Sequence, residues 1–199
     1  MKSVEIERGK RLKDEPTKGH NRFHPDIPPI VTAEEGEEVV LQTRDGVDGQ
    51  LGPGTTEADM AHMEAGAIHP LTGPVFVKGA QPGDVLEVEF LDIVPQPHAF
   101  TAIVPGLGFL RDVFTTPFLV HWQISEGWST SPQLAGVRIP GAPFMGVSAV
   151  APSAVQARCC RAAAWSSRPT RPAPSPAAAR RPPRGSGRCR RARTAATST

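Results

Sequence analysis

The chain has 199 residues with a formal charge of +2, a length that suits one or two domains. That small charge is a cancellation. Residues 154–199 hold eleven Arg and no Asp, Glu or Lys, so this tail carries +11 and the preceding body −9 (+2 minus +11). All three cysteines (Cys159, Cys160, Cys189) lie in the tail. The body therefore has no disulfide to stabilise it, and a reduced, cytoplasmic setting is expected. Met1–Pro16 is charged throughout and lacks the apolar stretch of a secretory signal. No run approaches the roughly 20 apolar residues that span a bilayer, so no membrane partner is expected.

In chain order, Val39–Thr43 places Val39 and Leu41 on one strand face. Thr56–Gly66 is the one helix-like segment, with Thr55 or Thr56 able to cap it and Gly66 to end it. Val75–Val77 is a short strand. Val85–Ile93 alternates Leu86, Val88 and Phe90 with Glu87 and Glu89, the period of a half-buried strand. Ala102–Val104, Phe118–Ile124, Val137–Ile139 and Met145–Val150 complete the strand candidates. Two strand entries share a pattern: Gly36-Glu37 leads through Val39 and Leu41 to Asp45, and Gly83-Asp84 leads through Leu86 and Val88 to Asp92. Similar turns explain this without a duplication, since Pro82-Gly83 suits a type II turn. Short strands between Gly/Pro turns predict a mainly β fold, a sandwich- or barrel-like domain with little helix. A body over 1–153 is followed by a disordered tail over 154–199, where no apolar pattern supports a core.

Three polar constellations stand out in the body. His20-Asn21-Arg22-Phe23-His24-Pro25-Asp26 packs two imidazoles and a carboxylate into one segment, and Pro25 keeps His24 extended, so the histidines are no helical metal pair. It reads either as a polar loop or as the source of one metal ligand. Thr43–Gln50 (T-R-D-G-V-D-G-Q) ends a strand with carboxylates; it is an Asp-Gly turn, or a strand end that binds a cation or orients a water. His69 sits between the helix candidate and a strand, and needs partners brought by folding to act as base or ligand. The body lacks a cysteine nucleophile, a G-x-S-x-G elbow and a Gly-rich phosphate loop, so no nucleotide cofactor is expected. For a hydrolase, a metal- or carboxylate-activated water is the mechanism left.

Five segments in register resemble the acetamidase/formamidase family: H-N-R-F-H-P-D-I-P-P (His20–Pro29), T-R-D-G-V-D-G-Q (Thr43–Gln50), H-P-L-T-G-P-V-F-V-K-G-A-Q-P-G-D-V-L-E-V (His69–Val88), P-G-L-G-F-L (Pro105–Leu110) and G-V-R-I-P-G-A-P-F-M-G-V (Gly136–Val147), followed by V-A-P-S (Val150–Ser153). The resemblance implies a hydrolase that cleaves the C–N bond of short linear amides such as formamide and acetamide. It also implies a β-rich fold, a divalent metal (Zn or Ca) in some members, a homo-oligomer, and a chain about twice the body's length. Chemical type, loop placement and resemblance together single out Asp45 and His69 as catalytic, His24 and Asp45 as metal ligands, and Gln50 as a substrate contact.

The resemblance stops at Ala154. Read from the third base of each codon, Trp165–Pro176 is compatible with V-L-P-P-D-P-A-G-A-V-P, and Arg184–Thr199 with G-L-R-T-V-P-P-R-E-N-G-G-N-V-D, both similar to the family's continuation. A frame slip is thus expected, giving a truncated, inactive and poorly stable chain. A native disordered tail and an Arg-rich arm binding nucleic acid are the other readings; the last would make this a non-enzymatic β-domain. Under the frame slip, nucleic acid is not an expected partner.

Overall fold

The computed structural model describes residues 1–154, 156 and 157, and the backbone of Cys189–Ser198. Among the described residues ten strands run in chain order: β1 (Lys2–Val4), β2 (Val31–Ala33), β3 (Glu38–Thr43), β4 (Val75–Val77), β5 (Val85–Val94), β6 (His98–Ile103), β7 (Phe118–Ser125), β8 (Trp128–Thr130), β9 (Arg138–Pro140) and β10 (Cys189–Ser198). They form a parallel sheet ordered β1-β3-β10-β5, a parallel pair β2-β4, and an antiparallel sheet ordered β6-β7-β8-β9. The fold is mainly β, as the alternation predicted.

The two similar strand entries are the same structure used twice. Glu37 N–H donates to the Glu34 carbonyl at 3.1 Å, and Asp84 N–H to the Gln81 carbonyl at 3.0 Å. Each turn carries a glycine at positive φ, 78° at Gly36 and 101° at Gly83, where a Cβ would be strained. The acidic side chain that closes each turn reaches back to its first residue: Glu37 accepts from Glu34 N–H and Asp84 from Gln81 N–H, both at 2.9 Å. The strands before the turns, β2 and β4, pair in parallel with Val31 opposite Val75. The strands after them, β3 and β5, both pair in parallel with β10.

The β7–β8 connection is Glu126-Gly127, with φ of 51° and 74°, the twist that a tight hairpin needs. Beside it, the antiparallel sheet carries the main core. Leu119 of β7 is 1% exposed and packs with Leu51 and Met60, with Val47, Met63, Phe100, Ala102 and Val104 around them. The segment after β3 is therefore clamped onto the sheet by apolar burial, which brings the Thr43–Gln50 loop to β6 and β7.

Several expectations need correction. Thr56–Gly66 is not one helix but two short 3-10 turns, Asp59–His62 and Ala65–Ala67. Met63 and Glu64 between them are extended. Gln50 explains the break: its Oε1 accepts from Glu64 N–H at 2.6 Å and its Nε2 lies 3.4 Å from the Glu64 carbonyl, which takes both backbone groups away from helical partners. Met145–Val150 forms no strand, having no neighbour to pair with among the described residues. The strand expected at Ala102–Val104 begins earlier, at His98, and that at Val137–Ile139 lies one residue later. The tail's residues 155, 158–188 and 199 lie outside the described residues, and so does most of the expectation of disorder. Cys189–Ser198 differs from that expectation, because its backbone bridges β3 and β5. Ladder hydrogen bonds are made by backbone, so two open strand edges accept an extended segment without an apolar pattern.

Candidate functional site

The site is built by loops that backbone hydrogen bonds tie together. His20 and Leu71 form a two-bond bridge, His20 N–H to Leu71 O at 2.9 Å and Leu71 N–H to His20 O at 2.7 Å. The bridge closes around Gly19, where a Cβ would meet the Leu71 carbonyl at 2.5 Å, so no other residue fits. His69 N–H donates to Gly46 O at 2.8 Å, and the Asn21 side chain to Gly66 O at 2.6 Å. Three stretches far apart in sequence, around His20, Asp45 and His69, thus meet.

Asp45 organises its own loop. Oδ1 accepts from Val47 N–H at 2.9 Å and Oδ2 from Gly49 N–H at 2.7 Å, the local bonding that suits aspartate to a strand-end turn. The carboxylate is held rigidly at the end of β3. His69, joined to the loop through Gly46, has φ of 57°, a left-handed conformation that is uncommon outside glycine. Pro70 next to it is buried, while His69 itself is exposed.

Beneath the loop lies a charge network. Asp48, 2% exposed, accepts from Leu12 N–H at 2.8 Å, and Arg11 Nε stands 3.4 Å from its other oxygen. Arg44 bonds Glu15 and reaches Asp48 at 3.8 Å, with its side chain 5% exposed. Burial alone would raise the Glu15 carboxyl, but bonds from Lys18 and from Glu7 N–H, with the charges of Lys18 and Arg44, hold it below its usual value. Arg11 also forks onto Glu64 at 3.1 and 3.2 Å, which lowers the Glu64 carboxyl and raises the guanidinium. These ions fasten the N-terminal segment to the Asp45 loop.

On the sheet side, His98 of β6 and His121 of β7 occupy diagonal positions of one face, since His98 pairs with Gln123 and Phe100 with His121. His98 Nε2 lies 3.1 Å from His121 Nδ1, and His121 Nε2 lies 2.8 Å from the Thr55 carbonyl. Burial and the neighbouring His121 depress the His98 pKa, and the negative charge of Asp45 opposes them.

The loops of Asp45 and His69, both singled out from sequence, are thus joined through the Gly46 backbone. Gln50 lies on the same loop with both ends of its amide engaged, Oε1 with Glu64 N–H and Nε2 with the Val47 carbonyl at 2.8 Å. His24 is on the loop after His20, where its Nδ1 accepts from Asp26 N–H at 3.2 Å. Among the described residues no group of three or more His, Cys, Asp and Glu is arranged to hold a metal. His24 and Asp45 offer at most two of the three protein ligands of a catalytic zinc site, so the described residues alone do not fit one. Sequence reasoning missed the His98–His121 pair and the buried Arg44–Asp48–Glu15 network. A lone histidine inside each of two strands, H-A-F-T and V-H-W, was the available signal for the first.

The site is a junction of loops in a β-rich fold, with carboxylate and imidazole groups on the loops that meet. The match to the model of the Acetamidase/Formamidase family runs over residues 5–193, and the chain belongs to this family. It is 34% identical over 161 residues to an acetamidase of Mycolicibacterium smegmatis, a match that covers 74% of this chain and 40% of the relative. It is 30% identical over 156 residues to a formamidase of Methylophilus methylotrophus, covering 75% and 38%. Among solved structures it resembles a gamma lactamase from Delftia acidovorans, with a TM-score of 0.66 and 31% identity over 71% of this chain and 36% of that one. The chain spans about two-fifths of the length of these relatives.

Proposed function

We propose that this chain carries part of an amide hydrolase that cleaves short linear amides, formamide and acetamide, to a carboxylate and ammonia. The observation that carries the reading is the junction of the Asp45 and His69 loops through the 2.8 Å bond from His69 N–H to Gly46 O. It joins the loop that fixes the Asp45 carboxylate to the loop that carries the exposed His69 imidazole, the two group types that general acid–base hydrolysis uses. Asp45 takes a proton from water as the oxygen attacks the amide carbonyl, and the C–N bond breaks as that proton equivalent is returned to the nitrogen, with the solvent-exposed His69 as the proposed acid. Gln50 serves this site by holding the Asp45 loop against Glu64, and its contact with substrate is a further part of the proposal.

His24 and Asp45 are the donors this stretch could offer to Zn²⁺ or Ca²⁺, with further ligands from outside the described residues; no step above passes through a metal. Homo-oligomeric assembly and a cytoplasmic setting complete the proposal, supported by the family resemblance and by a body without cysteine. The test is ammonia release from formamide, acetamide and propionamide with Zn²⁺ or Ca²⁺ added. It should be run on this chain and on the product of the gene with its frame restored beyond residue 153. No release from any of the three amides by the restored product would remove the substrate assignment.

A further inference from the structure

The His98–His121 pair has a chemistry that the reading above does not use. The Thr55 carbonyl can only accept, so His121 Nε2 carries a hydrogen. The 3.1 Å contact between His98 Nε2 and His121 Nδ1 then needs one hydrogen between two nitrogens. With both rings neutral, His98 holds that hydrogen on Nε2 and its Nδ1 has an open lone pair. No described hydrogen bond ends on that nitrogen.

From this geometry we propose that His98 and His121 form a two-imidazole proton relay whose open end is His98 Nδ1. A proton arriving at His98 Nδ1 releases the Nε2 hydrogen of the same ring to His121 Nδ1. The positive charge comes to rest on His121, where the Nε2–H already points at the Thr55 carbonyl oxygen, 2.8 Å away. Both nitrogens of each ring are used once, and no atom other than hydrogen moves. The relay needs a supply of protons and a use for them, and here it rests on the amide-hydrolase reading. The proton that Asp45 takes from the attacking water passes on to His98 Nδ1, and the same proton equivalent returns to the departing nitrogen as the C–N bond breaks. Two neighbouring rings spread one charge over a longer path than a single imidazole, in a half-buried site where a fixed charge on one ring is costly.

The charged groups around the relay are few. Asp45 acts on His98 from the loop after β3. Glu57, from the segment that supplies Thr55, reaches the Leu119 N–H at 3.2 Å, two residues before His121. Across the strand pair, His98 faces the neutral Gln123. The depressed proton affinity of His98 fits an end that receives a proton only transiently.

The test is a pH titration of the ¹⁵N-histidine-labelled 199-residue chain, following the ring nitrogens of both residues. The relay predicts that His98 and His121 titrate together, with the His121 Nδ1 signal moving over the same pH range as His98. It also predicts a through-hydrogen-bond ¹⁵N–¹⁵N coupling between His98 Nε2 and His121 Nδ1. Independent titration of the two rings, or a His121 Nδ1 signal that stays still while His98 titrates, would overturn it. Activity gives a separate readout. In the frame-restored product, His121→Gln keeps a donor for Thr55 but takes no proton, and should lower kcat about 100-fold, as loss of a general acid–base group does, with KM unchanged. Unchanged kcat in this variant would also overturn the relay. Ammonia release by neither form, with joint titration intact, would count against the amide-hydrolase reading and leave the relay standing.

Discussion

Removing the buried carboxylate of Asp48 tests whether ion pairing fastens the N-terminal segment beneath the site. In Asp48→Ala, the Leu12 N–H loses its 2.8 Å acceptor, and Arg44, 5% exposed, loses one of its two anionic neighbours. A buried donor left unpaired costs about 1–3 kcal/mol, and breaking a buried ion pair about 3–5 kcal/mol. The Arg contacts at 3.4 and 3.8 Å are longer than good hydrogen bonds, and Glu15 still partners Arg44, so the low end applies. We expect about 3 kcal/mol for Asp48→Ala and about 2 kcal/mol for Asp48→Asn, which keeps an oxygen for Leu12 but presents an amide to two guanidinium groups. Against a net stability of about 5–15 kcal/mol for a domain, either loss is large. The assay is urea unfolding, where a 3 kcal/mol loss at about 1–3 kcal/mol per M moves the midpoint by one molar or more. A double-mutant cycle with Arg11→Met should return a coupling below about 1 kcal/mol, because Arg11 is partly exposed. A shift under about 0.5 kcal/mol for Asp48→Ala, the scale of ordinary surface changes, would refute this account of the network.

Stability should fall as pH drops below 6.5. His20 and His98 are both depressed in the fold, chiefly by burial, so above 6.5 they are neutral whether folded or not. Below 6.5 the unfolded chain takes protons first and is favoured; a thermal midpoint flat between pH 7.5 and 5.5 would contradict this. Asp45→Ala should speed hydrogen exchange at the Val47 and Gly49 amides, whose acceptors it removes, and leave the exchange of β7 unchanged. Residues 154–199 alone should give no gel shift with duplex DNA at physiological salt, and sequencing of the gene through codons 150–200 should show an open frame in the displaced register. The 199-residue chain should bind a hydrophobic dye and self-associate, because Leu107, Phe109, Leu110, Val113 and Phe114 form one stretch with Phe109 fully exposed. Phe109→Glu with Leu110→Lys should reduce the light scattering, and no change would place the association elsewhere.

What could be read before folding and what could not divides along the range of the interactions. The strand candidates Val39–Thr43 and Phe118–Ile124 lie within β3 and β7, and Val75–Val77 matches β4 residue for residue, because short apolar runs rich in β-branched and aromatic residues favour extended backbone. The loops that carry Asp45 and His69 do share a junction. The hydrogen bond that makes it joins a main-chain carbonyl to a main-chain N–H, which leaves no trace in residue type. Gln50 is the sharper case. It was singled out as a contact for substrate, while its amide stands between two stretches of backbone and ends the helix that Thr56–Gly66 promised. A single long-range side chain here outweighs eleven residues of local preference, since each helical residue gains only tenths of a kcal/mol from propensity. The same holds for His98 and His121, unremarkable in sequence and separated by 23 positions, which only the antiparallel register of β6 and β7 brings to 3.1 Å.

The apolar alternation of β5 was legible for a different reason, and it carries the argument furthest. Its pattern asks for burial on one face, yet Val88 and Phe90 remain 40% and 41% exposed among the described residues. A strand that reads as half-buried and is found uncovered has an apolar face with no cover in the described fold. Phe118 at the start of β7, Ile139 in β9 and the stretch from Leu107 to Phe114 share that condition. The chain matches about two-fifths of the length of its relatives. The family match extends to residue 193, so part of the Arg-rich segment falls within it, and the backbone of Cys189–Ser198 occupies the slot between β3 and β5. Backbone pairing fills a slot between strands; it does not cover a face, which takes large apolar side chains, and residues 154–199 hold only Val155 and Trp165 of these.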